Sequence, residues 1–276
     1  MRAVAIIAGV TFHEAARKKI LLAAALLSAA YVGFFALGLD LRCSNCGTPP
    51  TALLRHEIDS GLLMVALYGV AFFTALLAIL ASIDSVAGEI ASGAIQTVAT
   101  RPLGRWQLLL GKWLGYAAIL ALYVLLVGGA VVLTMRWSEG FVPPNLAAGL
   151  ALIWWEGLVL LSVTLLFGTF CSTLTSGVLA VGLYGLAFLG GWVEQIGAVT
   201  HRPTALRLGI IASLLMPSEA LWRRAVYEMQ SPLVGAISFS PFNTSSVPSA
   251  LMLAYAAAYL LAAVLLAMRH FERRDL

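Results

Sequence analysis

Apolar runs long enough to cross a bilayer alternate along the chain with short polar stretches. They cover residues 20–39, 61–83, 113–135, 147–170, 177–199 and 249–268. About 20 helical residues cross the roughly 30 Å of hydrocarbon in a bilayer. Backbone groups in lipid must be satisfied within the segment or in a closed barrel, and the alternating pattern of barrel strands is absent. Each run therefore predicts a helix. The expected fold is an all-α integral membrane protein with six transmembrane helices, one domain over residues 1–276. Residues 1–19 read differently. Ala5, Ile6, Gly9, Val10 and Phe12 set against His13, Glu14, Arg17 and Lys18 predict an N-terminal interfacial amphipathic helix, the alternative being a ragged extension of the first span. A basic start, an apolar run and a small-residue cleavage site are missing there, so a cleaved signal peptide is not expected.

Composition agrees. Hydrophobic residues make up 61% of the chain and charged residues 11%, with a mean hydropathy of +0.94; soluble domains carry about a quarter charged residues. Lys and Arg placement sets orientation. With both termini cytoplasmic, the inside segments hold Arg2, Arg17, Lys18, Lys19, Arg101, Arg105, Lys112, Arg269, Arg273 and Arg274. The outside holds Arg42, Arg55, Arg136, Arg202, Arg207, Arg223 and Arg224, four of them in the long outer loop 200–248, which weighs little in the rule. The net charge of +4 then reports topology, and no nucleic-acid partner is expected.

Candidate chemistry is sparse. Cys43 and Cys46, just past the first span, form a candidate loop-stapling disulfide if they face an oxidising compartment. Idle thiols, a redox centre or half a metal site with His56 stay open. Cys171, at the inner end of the fourth span, reads as packing. Gly104 to Trp113 superficially resembles a phosphate-binding loop, but the glycine spacing is wrong and Trp113 replaces the magnesium-binding Ser/Thr. No nucleotide site of its own is expected, nor a metal site. Glu156, beside Trp154 and Trp155, is either interfacial or a polar group on a translocation path; Glu194 closes the fifth span beside Trp192. No span holds acids and histidines together, so a proton- or sodium-coupled relay is not expected. The histidines lie in loops or at helix ends, which argues against an intramembrane serine hydrolase. Gly128, Gly129, Gly182, Gly185, Gly190 and Gly191 read as helix-packing positions. In 200–248, the run 208–215 is too short to span. Residues 218–229 predict a surface helix capped by Ser218, with Trp222 and Tyr227 at the interface and Arg223, Arg224 and Glu228 in water. This loop is a lid, a docking surface or filler.

The most informative stretch is 84–112, a polar segment between the second and third spans. It contains Gly88-Glu89, Gly93-Ala94-Ile95, Arg101-Pro102-Leu103-Gly104-Arg105 and Leu108-Leu109-Leu110-Gly111-Lys112. A solvated loop obeying the positive-inside rule would account for the charges alone. The pattern resembles the first cytoplasmic loop of type-2 ATP-binding-cassette (ABC) permeases. There the pattern is G-E-x-x-x-G-T followed by a hydrophobic residue, a run ending P-[IL]-x-R, and L-L-x-G-K opening the third span. The layout of six spans, and a tail of Phe271, Glu272, Arg273, Arg274, Asp275 and Leu276, is similar to the permeases of the copper-processing transporter that serves nitrous oxide reductase. Ala94 and Ala91 depart from the usual threonine and acidic residue.

The resemblance implies a permease subunit, not itself an enzyme, in a bacterial cytoplasmic membrane. It implies a cytoplasmic ABC ATPase subunit that binds ATP and magnesium, a second permease copy, most simply a homodimer, and contact with membrane lipid. Gly88, Glu89, Gly93, Arg101, Pro102, Arg105 and Lys112 would form the ATPase-coupling segment, and ATP hydrolysis would drive substrate export. Two alternatives stay open. One is a mechanotransmitting scaffold for a periplasmic or extracellular protein, and the other is a membrane thiol oxidoreductase using Cys43 and Cys46.

Overall fold

Low-dielectric surroundings make an intrahelical hydrogen bond for each backbone group the cheapest arrangement, and the chain adopts helices throughout. The computed structural model describes residues 2–45, 52–91, 104–230 and 247–273. Among them run α1 (Arg2–Ala16), α2 (Lys19–Asn45), α3 (Ala52–Ala91), α4 (Arg105–Glu139), α5 (Leu146–Phe170), α6 (Thr173–Val199), α7 (Pro203–Leu215), α8 (Ser218–Met229) and α9 (Ala250–Arg273), with no strand among the described residues. Six of these, α2 to α6 and α9, are long and apolar enough to span a membrane, and each contains one expected span. All six overrun their expected limits, α3 and α4 the furthest. Helix α3 continues past Asp84 and Gly88 to Ala91, and α4 begins at Arg105. Polar residues at helix ends reach water without breaking the helix, and the nearest proline is Pro102.

Both termini lie at one end of the bundle, termed here the terminal face. Arg105, opening α4, donates to the carbonyl of Glu272 near the end of α9 at 3.4 Å. Phe170, closing α5, sits 5.8 Å from the His270 ring. Helix α5 is the core element, packed by α3, α4, α6, α8 and α9. Helix α2 is peripheral, with almost none of its surface buried. It is held by Ser28 against Tyr123 of α4 and by the Tyr31 hydroxyl, which donates to the Ala66 carbonyl at 2.9 Å. The Tyr31 ring lies over Gly69, where any side chain would collide with it.

Helix α1 is separate from the first span, not an extension of it. The chain turns at Arg17 and Lys18, with Arg17 N–H donating to Glu14 O at 3.2 Å. It is seated on protein: Gly111 and Gly115, one turn apart on α4, form a groove against Ile7 and Thr11, and a Cβ on Gly115 would lie 2.8 Å from the Ala8 carbonyl oxygen. Ile6 and Val10 point outward.

The expected surface helix of the 200–248 loop is corrected. Helices α7 and α8 form a pair bent by 103° at Met216 and Pro217. Helix α7 folds back along α6, with Ala205 over Gly197 and Ala212 over Gly190. Helix α8 then packs on α5, its Met229 filling the space over Gly149. The pair forms a bent hairpin seated against α6 and α5. Pro217, not Ser218, precedes the first turn of α8, and Ser218, Trp222 and Arg223 are buried. Only Tyr227 and the Arg224–Glu228 pair (2.6 Å) keep the expected outward character. Residues 231–246 of that loop lie outside the described residues.

Of the glycines read as packing positions, Gly128 meets Leu150, Gly190 meets Ala212 and Gly191 meets Glu219. Gly129, Gly182 and Gly185 meet no neighbour within this single chain. A glycine signals close approach only where a neighbour occupies the space.

Candidate functional site

Three polar clusters punctuate the apolar bundle. At the terminal face, Lys112 stands two turns into α4. Its ammonium is buried and donates to the Ser85 carbonyl in the last turns of α3. Carbonyls at a helix C-terminus carry partial negative charge, which favours a cation there. Lys112 therefore braces α3 against α4 and does not project toward a partner. Arg105, half-buried, points to the end of α9. Gly88 lies in the last turn of α3, close to Asp84. Glu89 belongs to the same helix, but its side chain is outside the described residues, as are Gly93, Arg101 and Pro102. The structure thus brings together Arg105, Lys112 and the end of α3, flanked by α1 on its Gly111–Gly115 groove.

At the opposite face, Arg42 of α2 bonds Asp59 of α3 at 2.9 Å, and Arg55 bridges Asp59 at 3.9 Å and Glu139 of α4 at 3.0 Å. Two carboxylates meet two guanidiniums, tying three helices. His56 stacks edge-on against Phe141 at 4.9 Å. Cys43 is in the last turn of α2, but its side chain and all of Cys46 are outside the described residues. Among the described residues, no group of three His, Cys, Asp or Glu could hold a metal ion. Cys171 caps α5, half-buried and unbridged.

The third cluster overturns two expectations. Glu156 lies ten residues into α5, about 15 Å from its start at 1.5 Å per residue. It is 3% exposed. Trp154 does not mark a water boundary, because its indole N–H donates to the Ala117 carbonyl of α4 at 2.9 Å. Interfacial placement of Glu156 is therefore wrong. Gly149, two turns earlier on the same face of α5, receives Met229 of α8. Glu156 faces the other, deep end of α8, where Glu219 lies within electrostatic reach. Glu194 is not interfacial either. The returning hairpin covers it, and Arg223 clasps both its oxygens, Nη1 to Oε1 at 2.8 Å and Nη2 to Oε2 at 2.9 Å. Arg223 Nη2 also donates to Ser213 of α7 at 3.3 Å. Aromatic rings line this region, with Tyr68 4.9 Å from Trp222 and 6.2 Å from Phe188. An acid cluster therefore does exist within the spans, assembled from α5, α6 and α8.

The family model for the ABC-2 family transporter protein covers residues 6–276. The chain belongs to that family. It is also similar to a protein named "Probable ABC transporter permease protein NosY" from Pseudomonas aeruginosa, 44% identical over 64 residues. A protein of the same name from Stutzerimonas stutzeri is 42% identical over 64 residues. Each alignment spans 23% of this chain and 23% of the relative. The protein is a multi-pass membrane permease of the ABC-2 type, and its terminal-face cluster lies on the two helices that flank the segment of the family-like motif.

Proposed function

We propose that this permease is the membrane subunit of an ATP-driven exporter, moved by a separate cytoplasmic ATPase that binds ATP and magnesium and grips the segment between α3 and α4. The terminal face is then cytoplasmic, in a bacterial cytoplasmic membrane, and a second copy of the chain completes the path. The observation that carries this reading is the Lys112–Ser85 brace. A push on the intervening segment meets α3 and α4 as one rigid unit, not as two independently sliding helices. Helix α3 has 40 residues, about 60 Å at 1.5 Å per residue. It runs from that brace past Tyr68, beside the deep carboxylates, to the opposite face.

Affinity purification from native membranes in mild detergent, with mass spectrometry and an ATPase assay on the eluate, tests the reading. Co-elution of a soluble ATPase, lost in Glu89→Ala or Arg101→Ala, is the expected result. A chain that elutes alone and without hydrolysis overturns it. The scaffold alternative called for a docking surface on the 200–248 loop; α8 is largely buried and leaves little of its own area for such a role, whereas Leu208, Ile210, Ile211, Leu214 and Leu215 of α7 face outward.

A further inference from the structure

The deep cluster is out of charge balance. Glu156, Glu194 and Glu219 converge from α5, α6 and α8, and Arg223 is the one guanidinium among the described residues that reaches them. Arg223 is directed at Glu194: Nη2 bonds Glu194 and Ser213, and Nη1 lies 2.8 Å from Glu194 Oε1 as an ion pair, while Nε and Nη1 are buried without a hydrogen-bond partner among the described residues. Glu156 is left with Oε2 buried and without a hydrogen-bond partner. An isolated carboxylate at this depth costs several kcal/mol, and the usual response is a partner or neutralisation.

The groups facing Glu156 supply no partner charge. Helix α3 brings Tyr68, α6 brings Tyr184, and α8 brings Glu219, whose charge opposes its own. The other helices on α5 turn their ionisable groups elsewhere. On α4, Tyr123 meets Ser28, Lys112 meets the Ser85 carbonyl, Arg105 reaches the Glu272 carbonyl and Glu139 meets Arg55. On α9, Tyr255 donates to the Leu214 carbonyl, Tyr259 approaches the Met216 sulfur and His270 lies at the terminal face against Phe170. Space is also short. Beside Glu219 a Cβ on Gly191 would lie 2.9 Å from the carboxyl carbon, and on Gly157, next to Glu156, one would lie 3.0 Å from the Thr74 methyl. Among the described residues no group of three His, Cys, Asp or Glu could hold a metal ion; a proton needs no such set.

We propose that Glu156 is a proton-binding site within the spanning bundle, neutral while the α7–α8 hairpin is seated and driving the hairpin off its seat when it ionises. The step is simple: the carboxylate takes one proton from water to give the carboxylic acid, and no electrons move. With the proton gone, Glu156 and Glu219 repel across the α5–α8 contact. The bend at Met216 and Pro217 is the point about which α8 can tilt outward. Acidification locks the hairpin and alkalinisation loosens it. This inference does not depend on an ATPase partner.

Infrared spectroscopy of the full chain in lipid nanodiscs tests the first half. The wild type minus Glu156→Gln difference at neutral pH should contain a carboxylic-acid C=O stretch that shifts in D2O and is the same in sodium, potassium or choline buffers. Its absence, or its replacement by a carboxylate signal that follows the metal cation, overturns the proposal. Hydrogen–deuterium exchange of residues 216–230, corrected for the intrinsic pH dependence, tests the second half. Wild-type α8 should exchange at least threefold faster at alkaline than at acidic pH, while the isosteric Glu156→Gln, permanently neutral, stays protected throughout. Equal pH dependence in both proteins overturns the proposal. Glu228→Gln, on the outward Arg224 pair, controls for loss of an arbitrary carboxylate and should follow the wild type.

Discussion

The rim and the deep cluster solve the same problem differently. At the rim, Asp59 and Glu139 are each met by arginine, and one of those arginines, Arg55, is half in solvent. In the deep cluster, three carboxylates lie near one guanidinium, Arg223, which contacts only Glu194 among them and whose side chain is 3% exposed. Balanced charges near water act as an adjustable tie between helix ends. An unbalanced set inside the bundle holds only while something neutralises it, so its state can change. The rim therefore reads as structure and the deep cluster as a switch.

The largest test of that contrast is Arg223→Met. It leaves Glu194 buried beside Glu219 without compensation, and removing one partner of a buried pair costs about 3–5 kcal/mol. Thermal unfolding in detergent should show a much lower midpoint, and adding Glu194→Gln should restore part of it. A single variant as stable as the wild type would mean that the hairpin is not held by this pair. Next, Lys112→Met should lower stability by about 1–3 kcal/mol through the lost brace to a buried carbonyl, seen as faster exchange near Ser85. A further comparison, similar in size to Lys112→Met, separates two adjacent glycines. Gly128→Ala meets Leu150, with a Cβ 2.7 Å from its methyl, whereas Gly129→Ala meets nothing. Overpacking costs about 1–3 kcal/mol, so only the first should lower the unfolding midpoint. At the rim, Arg55→Ala should cost only about 0–1 kcal/mol, as exposed ion pairs do, with a measurable salt dependence.

The spans were legible because length and apolar composition are enough to place a helix in lipid. The hairpin was not. Its two helices have 13 and 12 residues, each too short to span, and Arg223 and Arg224 look alike in sequence. Arg223 turns inward because Glu194, 29 positions earlier, awaits it, and only the fold supplies that partner. Glu156 was misplaced for a related reason. Tryptophan marks the membrane boundary when its N–H needs water, and here the Ala117 carbonyl serves instead. Lys112 was singled out from the motif, yet motif position could not say that it points into the bundle. The segment 92–103 and the Cys43–Cys46 pairing lie outside what the structure describes.

Force applied between α3 and α4 should reach the α7–α8 hairpin. The direct measurement is hydrogen–deuterium exchange of residues 216–230 in the purified complex with its ATPase, with and without ATP and magnesium. ATP should change exchange in α8, and Lys112→Met should abolish that change while the complex stays assembled and hydrolyses ATP. Exchange in α8 that ignores nucleotide in the wild type, with the complex intact, would contradict the account.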